Sequence, residues 1–193
     1  MSETAVKRAV APPPLDLVEA FINTADLEAG SDQLATTTEL RSWLLDRQLI
    51  ARAEPVSERD RQQAIKLRET LRRAALANNG ASVDSSTLRE MNQLARNAQM
   101  VVTFGDDGVA RLDPSVKGID AGMARILAAV FVGMMTGSWA RLKACPSDNC
   151  QWAFYDASKN HSARWCEMAD CGNDAKGRAY RARRRAAVRS VSP

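Results

Sequence analysis

All four cysteines of this 193-residue chain, Cys145, Cys150, Cys166 and Cys171, fall within 27 residues in the pattern C-x4-C-x15-C-x4-C. Two constructions use cysteines paired in this way. A tetrahedral zinc site needs two ligand pairs, each delivered by a tight turn and brought together by folding. A disulfide framework belongs to small exported domains. The N-terminus, MSETAVKRAVAPPP, lacks the apolar core of a secretory signal, which favours Zn²⁺ and leaves disulfides or inert thiols as the other outcome. Four thiolates close the coordination shell, so such a site contributes folding energy and leaves no position for a hydrolytic water. His161, the only histidine, is the alternative ligand.

Turn chemistry surrounds the cysteines. Pro146 and Asn149 lie between the first two, and Asp170, Gly172 and Asn173 surround the last. Backbone N–H groups must bend round to face sulfur, and Gly172 can take positive φ to allow it. Trp152, Phe154, Tyr155 and Trp165 are four of the ten aromatic residues. A small metal module has little core of its own, so packing round the metal or against the body outweighs nucleobase stacking. Asp156, Ser158 and Asn160 are expected to hold the loop by hydrogen bonds.

Charge is as lopsided as cysteine. Residues 1–137 carry 16 Lys/Arg and 18 Asp/Glu, whereas residues 138–193 carry 11 and 5. Residues 175–193 hold seven cations and no acid. Asn173 or Asp174 can cap a helix there. Arg178, Arg181, Arg185 and Arg189 fall on one stripe of it, beside a small-residue stripe of Ala175, Ala179, Ala182 and Ala186 that can lie close against the protein. Arginine forks match phosphate oxygens, so the stripe reads as a nucleic-acid contact; a solvated helix whose cations answer its own dipole is the other reading.

The preceding chain reads as mainly α with a small β-hairpin. Residues 1–13 are expected to be a disordered arm ending in prolines. Leu15, Val18, Phe21 and Ile22 have amphipathic spacing. Thr36 to Glu39 forms a capping box before Leu40, Trp43 and Leu44. Ser57 opens a helix carrying Leu67, Leu71 and Ala75, closed by Asn79 and Gly80, and Asp84 caps one carrying Leu88, Met91 and Ala95. Residues 99–104 and 109–112 flank a turn at 105–108 and predict the hairpin. Residues 118–137 are the most apolar and predict a central buried helix, in which Gly133 and Gly137 allow close packing. The longest apolar run, 126–135, is about half of the roughly 20 residues a span needs, so no membrane association is expected and the cytoplasm is the expected location. With 45% hydrophobic and 26% charged residues, the whole is a globular chain.

The segment from Cys145 to Arg185 resembles the CGNR zinc finger. The resemblance rests on Cys145 and Cys150, on Phe154, Asp156, Ser158 and Asn160 at alternate positions, on Arg164, Trp165 and Cys166, on Met168, and on Cys171, Gly172 and Asn173 followed by Lys176. The rest resembles the helical ABATE domain found ahead of this finger, through Phe21, Asn23, Thr24, Trp43 and Leu44. The resemblance implies a bacterial, stress-linked transcription regulator, with the finger for DNA and the helical domain for sensing a small ligand. The implied division is a helical domain over 14–138 and a finger with a basic C-terminal helix over 139–189. Two positions depart from the family pattern: Asp174 stands where the signature ends in Arg, and Ala163 where an Arg often precedes Arg164. Each removes a cation from the expected phosphate contact.

Together these readings place Zn²⁺ on Cys145, Cys150, Cys166 and Cys171, and DNA on Arg164, Lys176, Arg178, Arg181, Arg184 and Arg185. A small ligand would lie near Asn23, Thr24 and Trp43, unless Asn23 and Thr24 only cap the first segment and Trp43 is core. A structural zinc module docking an acidic protein partner through the basic helix is the alternative function. No glycine-rich phosphate loop, serine elbow or helical metal-ligand pair suggests an enzyme.

Overall fold

The first core layer is built by local signals. In a computed structural model describing residues 9–189, with side chains at 179 and 185–189 outside the description, α1 (Leu15–Ile22) buries Leu15, Val18, Phe21 and Ile22. The strands β1 (Ala25–Asp26) and β2 (Ser31–Asp32), not foreseen from sequence, close a short antiparallel loop. Thr36 caps α2 (Thr37–Asp46): its hydroxyl accepts from the Glu39 N–H at 3.2 Å and donates to the Glu39 carboxylate at 2.9 Å. Leu40, Trp43 and Leu44 of α2 face inward, and the Trp43 ring lies tilted 5.3 Å from Phe21.

The 20-residue α3 (Glu58–Ala77) starts at a reciprocal Ser57–Asp60 capping box and runs through the middle of the molecule. Its inner face includes two buried arginines. Arg68 forks onto Asp32 at 2.6 and 2.9 Å, holding that carboxyl below its ordinary range against the opposing effect of burial. Arg72, fully buried, donates to the carbonyls of Ile22 at 2.7 Å and Ala25 at 3.3 Å. Both arginines therefore fix the turn that follows α1.

Asp84 caps α4 (Ser85–Ala98) as expected, but the helix is rotated from the expected phase. Leu88 is 47% exposed and Ala95 is exposed, whereas Thr87 and Ala98 are buried and Met91 and Leu94 pack on the core. The cap sets this phase, since the Thr87 N–H and hydroxyl both reach the Asp84 carboxylate and Arg73 donates to the Thr87 hydroxyl. The predicted hairpin is present as β3 (Met100–Phe104) and β4 (Ala110–Pro114).

α5 (Gly118–Met135) is long and apolar enough to cross a membrane by length and composition, yet half of it is buried inside the protein. Its burial is one-sided: Phe131, Met134 and Met135 are exposed, so the expected central buried helix is buried on one side only. Gly133 does serve close packing, because a Cβ there would lie 2.6 Å from Leu15 Cδ2. Gly137 serves a different purpose and ends the helix at φ +75°.

A 3₁₀ turn at Ser138–Arg141 leads into β5 (Leu142–Ala144), which pairs antiparallel with β6 (Ala153–Tyr155). This third two-stranded sheet lies on α3, and Trp139, Leu142, Ala144, Ala153 and Tyr155 join the same hydrophobic core as α1, α2, α3 and α5. A π-turn at Met168–Gly172 then runs directly into α6 (Asn173–Arg189). The first eight residues of the expected arm lie outside the described residues. Its last part is packed: Ala11 is buried and its N–H donates to Glu19 Oε2 at 2.6 Å.

Candidate metal centre and basic helix

The β5–β6 hairpin delivers the first cysteine pair. Cys145 follows β5 and its N–H donates to the Trp152 carbonyl at 2.9 Å, while a turn bonded from Cys150 N–H to Ser147 carbonyl at 2.9 Å brings Cys150 back. Gln151 completes the turn in the left-handed region at φ 49°. Backbone N–H groups of Ser147 and Cys166 face the Cys145 sulfur, and that of Trp152 faces Cys150. The π-turn carries Cys171 and closes with Gly172 N–H donating to the Glu167 carbonyl at 3.1 Å.

The four sulfurs of Cys145, Cys150, Cys166 and Cys171 lie within 4.8 Å of one another. Cys150 Sγ is 3.4 Å from Cys166 Sγ, and Cys166 Sγ is 3.8 Å from Cys171 Sγ. A zinc tetrahedron with bonds of about 2.3 Å has edges of about 3.8 Å, and a disulfide needs about 2.05 Å. The cysteines are free thiols at metal-ligand spacing, and the residues fit the ion. Their acidity makes the same point. Hydrogen bonds from Cys150 and Cys166, then backbone N–H groups, pull the Cys145 thiol far down. Proton sharing with Cys145 pushes Cys150 and Cys166 up, and burial followed by the neighbouring sulfurs pushes Cys171 up. Four sulfurs this close cannot all ionise against one another, and a divalent cation among them removes that conflict.

His161 is exposed and outside the sulfur cluster; what it contributes is its carbonyl, which accepts from Lys143 at 2.7 Å. Gly172 has no positive φ. It is needed for space, because a Cβ would lie 2.5 Å from Met168 Sδ and 3.3 Å from the Trp165 ring. Asn173 has helical angles and no capping geometry, and its amide donates to the Ala169 carbonyl at 2.9 Å.

The long loop between the cysteine pairs is organised by a buried ion pair. Asp156, fully buried, accepts from Lys143 Nζ at 2.8 Å, from the Ser158 N–H and hydroxyl at 3.0 and 2.6 Å, and from the Ala163 N–H at 3.0 Å. Burial alone would raise this carboxyl, but Lys143 and Ser158 bring it down to about 2. Asp156 and Ser158 thus hold the loop as the sequence suggested; Asn160 is exposed. Lys143 was not singled out, because nothing local marks one lysine before a cysteine as the ammonium on which three loop acceptors converge. Phe154 and Tyr155 are buried, and Arg141 lies 5.1 Å over the Tyr155 ring.

Three asparagines attach this module to the helices. Asn23 makes a two-way bond with one residue of β6: its amide donates to the Ala153 carbonyl at 2.9 Å and its oxygen accepts the Ala153 N–H at 2.7 Å. Asn78 donates to the carbonyls of Trp139 and Leu142, and Asn79 to that of Ala144. Asn79 is recognisable from sequence only as a helix terminator.

The residues expected near a small ligand do not converge on one cavity. Asn23 lines a cleft of about 530 Å³, Thr24 is buried with its hydroxyl bonded to Phe21 and Arg68, and Trp43 is a core residue under Arg47, whose guanidinium lies 4.0 Å from the ring. Among the expected nucleic-acid contacts, Arg164, Lys176, Arg178, Arg181 and Arg184 are all exposed, and no salt bridge involves them among the described residues. The Arg185 and Arg189 side chains, with those of Ala179 and Ala186, lie outside the described residues. Ala182 is exposed, so the small-residue stripe is not continuously covered.

Residues 141–184 match the sequence model of a family described as "CGNR zinc finger", and residues 13–138 match that of ABATE, described as "Putative stress-induced transcription regulator". No curated protein matches the chain.

Proposed function

Because the chain belongs to the ABATE family, and carries a CGNR zinc finger behind that domain, we propose that it is a zinc-dependent transcription regulator that contacts DNA through α6. Both family descriptions are of a regulator and a zinc finger, neither of them an enzyme. In this reading the helical domain spans 14–138 and the finger 139–189, and Cys145, Cys150, Cys166 and Cys171 hold Zn²⁺. Bound by these four cysteines, the ion would crosslink the hairpin to the segment that leads into α6. The observation that carries the reading is the junction of that turn with α6: the fold around the sulfurs fixes the start of a helix exposing Lys176, Arg178, Arg181 and Arg184. Guanidinium forks there hold phosphates, and Arg164 on the preceding loop adds another cation.

The test is selection from random duplex DNA at near-physiological salt, with and without zinc. Enrichment of a defined site only with zinc supports the reading. Substituting Arg178, Arg181 and Arg184 by Ala should flatten the slope of log K against log salt by about 2–3, while zinc stays bound. An unchanged slope refutes phosphate contact by α6.

Asp174 favours a second reading. It is exposed at the start of α6 and, with Ala163, removes a cation from the expected phosphate contact, which weakens the case for DNA and leaves the remaining basic side chains of α6 to meet an acidic protein partner. A stoichiometric partner retained after nuclease treatment, together with no selected DNA site, supports that reading.

A further inference from the structure

We propose that the cleft at the seam between the helical domain and the sulfur cluster is a binding site for a small organic cation carrying more than one ammonium group. This deepens the regulator reading: the link to DNA rests on it, but the binding does not. The cleft has a volume of about 530 Å³, within the range of small-molecule sites. Its walls come from both parts of the chain, with Asp16, Glu19 and Asn23 on α1 and the turn after it, Asp26 and Glu28 on the β1–β2 loop, and Trp152 and Glu167 on the cysteine module.

The charge of the lining selects the ligand class. Five carboxylates face one guanidinium, Arg47, and among the described residues none of the five is in a salt bridge. Arg47 lies over the Trp43 ring and makes no salt bridge with any of them among the described residues, so one cation stands against five acids. Cys150 and Cys166 also line this space, and a tetrathiolate zinc centre on the four cysteines would add a further net negative charge. Burial raises the Glu19 carboxyl, the Ala11 N–H opposes this, and the neighbouring Asp16 adds a smaller upward push.

A bare metal ion does not suit the cleft. Among the described residues, the four cysteines are the only group whose ligand atoms converge closely enough to hold one. Carboxylates spread round a cavity of this size instead match a ligand whose positive charges are themselves separated. Trp152, half-buried in the wall, provides aromatic surface on which an alkylammonium can rest.

The position gives binding a route to the finger. Asn23 lines the cleft and also holds Ala153 by two hydrogen bonds, and the preceding residue, Trp152, lines the cleft and donates its backbone N–H to the Cys150 sulfur. An occupant touching Asn23 and Trp152 therefore bears on the hairpin that presents the first cysteine pair.

The test is calorimetric titration of the zinc-loaded full chain, without DNA, in 150 mM salt. Butane-1,4-diamine is the probe, and butylamine, butane-1,4-diol and Mg²⁺ are comparators. The diamine is expected to bind with one-to-one stoichiometry, at least tenfold more tightly than butylamine, with no heat from the diol. A Glu28→Gln/Glu167→Gln variant, whose side chains make no fold-holding bond among the described residues, is expected to weaken binding at least tenfold with an unchanged melting temperature. No diamine binding, equal binding of the diol, an unaffected variant, or equal displacement by Mg²⁺ would each overturn the site. Diamine binding without any selected DNA site leaves the pocket standing and removes the regulator reading, and the converse result removes only the pocket.

Discussion

Replacing Asn23 by Ala removes two hydrogen bonds that join the helical domain to β6, and its cost can be worked from their geometry. The Asn23 side chain satisfies both backbone groups of Ala153, at 2.9 and 2.7 Å, and Ala153 is fully buried. Each such bond contributes about 0.5–1.5 kcal/mol net, and each buried group left unpaired costs about 1–3 kcal/mol. Water entering from the adjoining cleft can rescue part of this, so the expected loss is about 2–4 kcal/mol. For a chain of this length that lowers the melting temperature by about 4–16 °C. The loss is local to the hairpin behind Cys145 and Cys150, so transfer of zinc to a competing chelator should accelerate in parallel, and the Ala153 amide should lose hydrogen-exchange protection. Asn23→Asp is the informative companion. It keeps an acceptor for the Ala153 N–H but turns an oxygen toward the Ala153 carbonyl, so it should stabilise no better than Ala. A loss below about 0.5 kcal/mol for Asn23→Ala, with unchanged zinc retention, would refute the idea that Asn23 ties the two parts together.

Three further outcomes follow from the same structure. Gly133→Ala should destabilise, because its Cβ meets the fully buried Leu15, and overpacking of about 1–3 kcal/mol exceeds the helix-propensity gain of about 1 kcal/mol; an unchanged or higher melting temperature would contradict this. Asp156 has a folded value of about 2, below its unfolded 3.8, so its contribution is complete above pH 4 and lost as the pH falls through about 2; a carboxyl ¹³C titration with a midpoint above 4 would contradict the Lys143 pairing. Zinc removal should lower the melting of the whole chain in one transition, since the hairpin shares the core of α1, α2, α3 and α5; persistence of an unshifted helical transition in circular dichroism after chelation would show two independent units.

Features governed by neighbours in the chain were legible. The Thr36 and Ser57 caps work within one helical turn, and the spacing of Leu15, Val18, Phe21 and Ile22 sets which side of α1 is apolar whatever it packs against. The paired spacing of the cysteines likewise made a metal centre readable before any geometry was known. The face of α4 was misjudged because sequence ranks Leu88 above Thr87 as a core residue. The hydroxyl of Thr87, satisfied by Asp84 and Arg73, made burial of the polar residue inexpensive and left Leu88 outside.

The amino-acid sequence by itself determined the long helices, the caps at Thr36, Ser57 and Asp84, the hairpin at 100–114 and the pairing of the cysteines, because each depends on residues a few positions apart. Only the tertiary structure decided how the cysteine module is attached and where a cleft opens. Asn23 meets Ala153 across 130 residues, Asn78 and Asn79 reach β5 across more than 60, and Asp16, Asp26 and Glu167 face the same space from three separate elements. No periodicity records such meetings: an asparagine at a helix end has the same local grammar whether it bonds water or the edge of a distant strand.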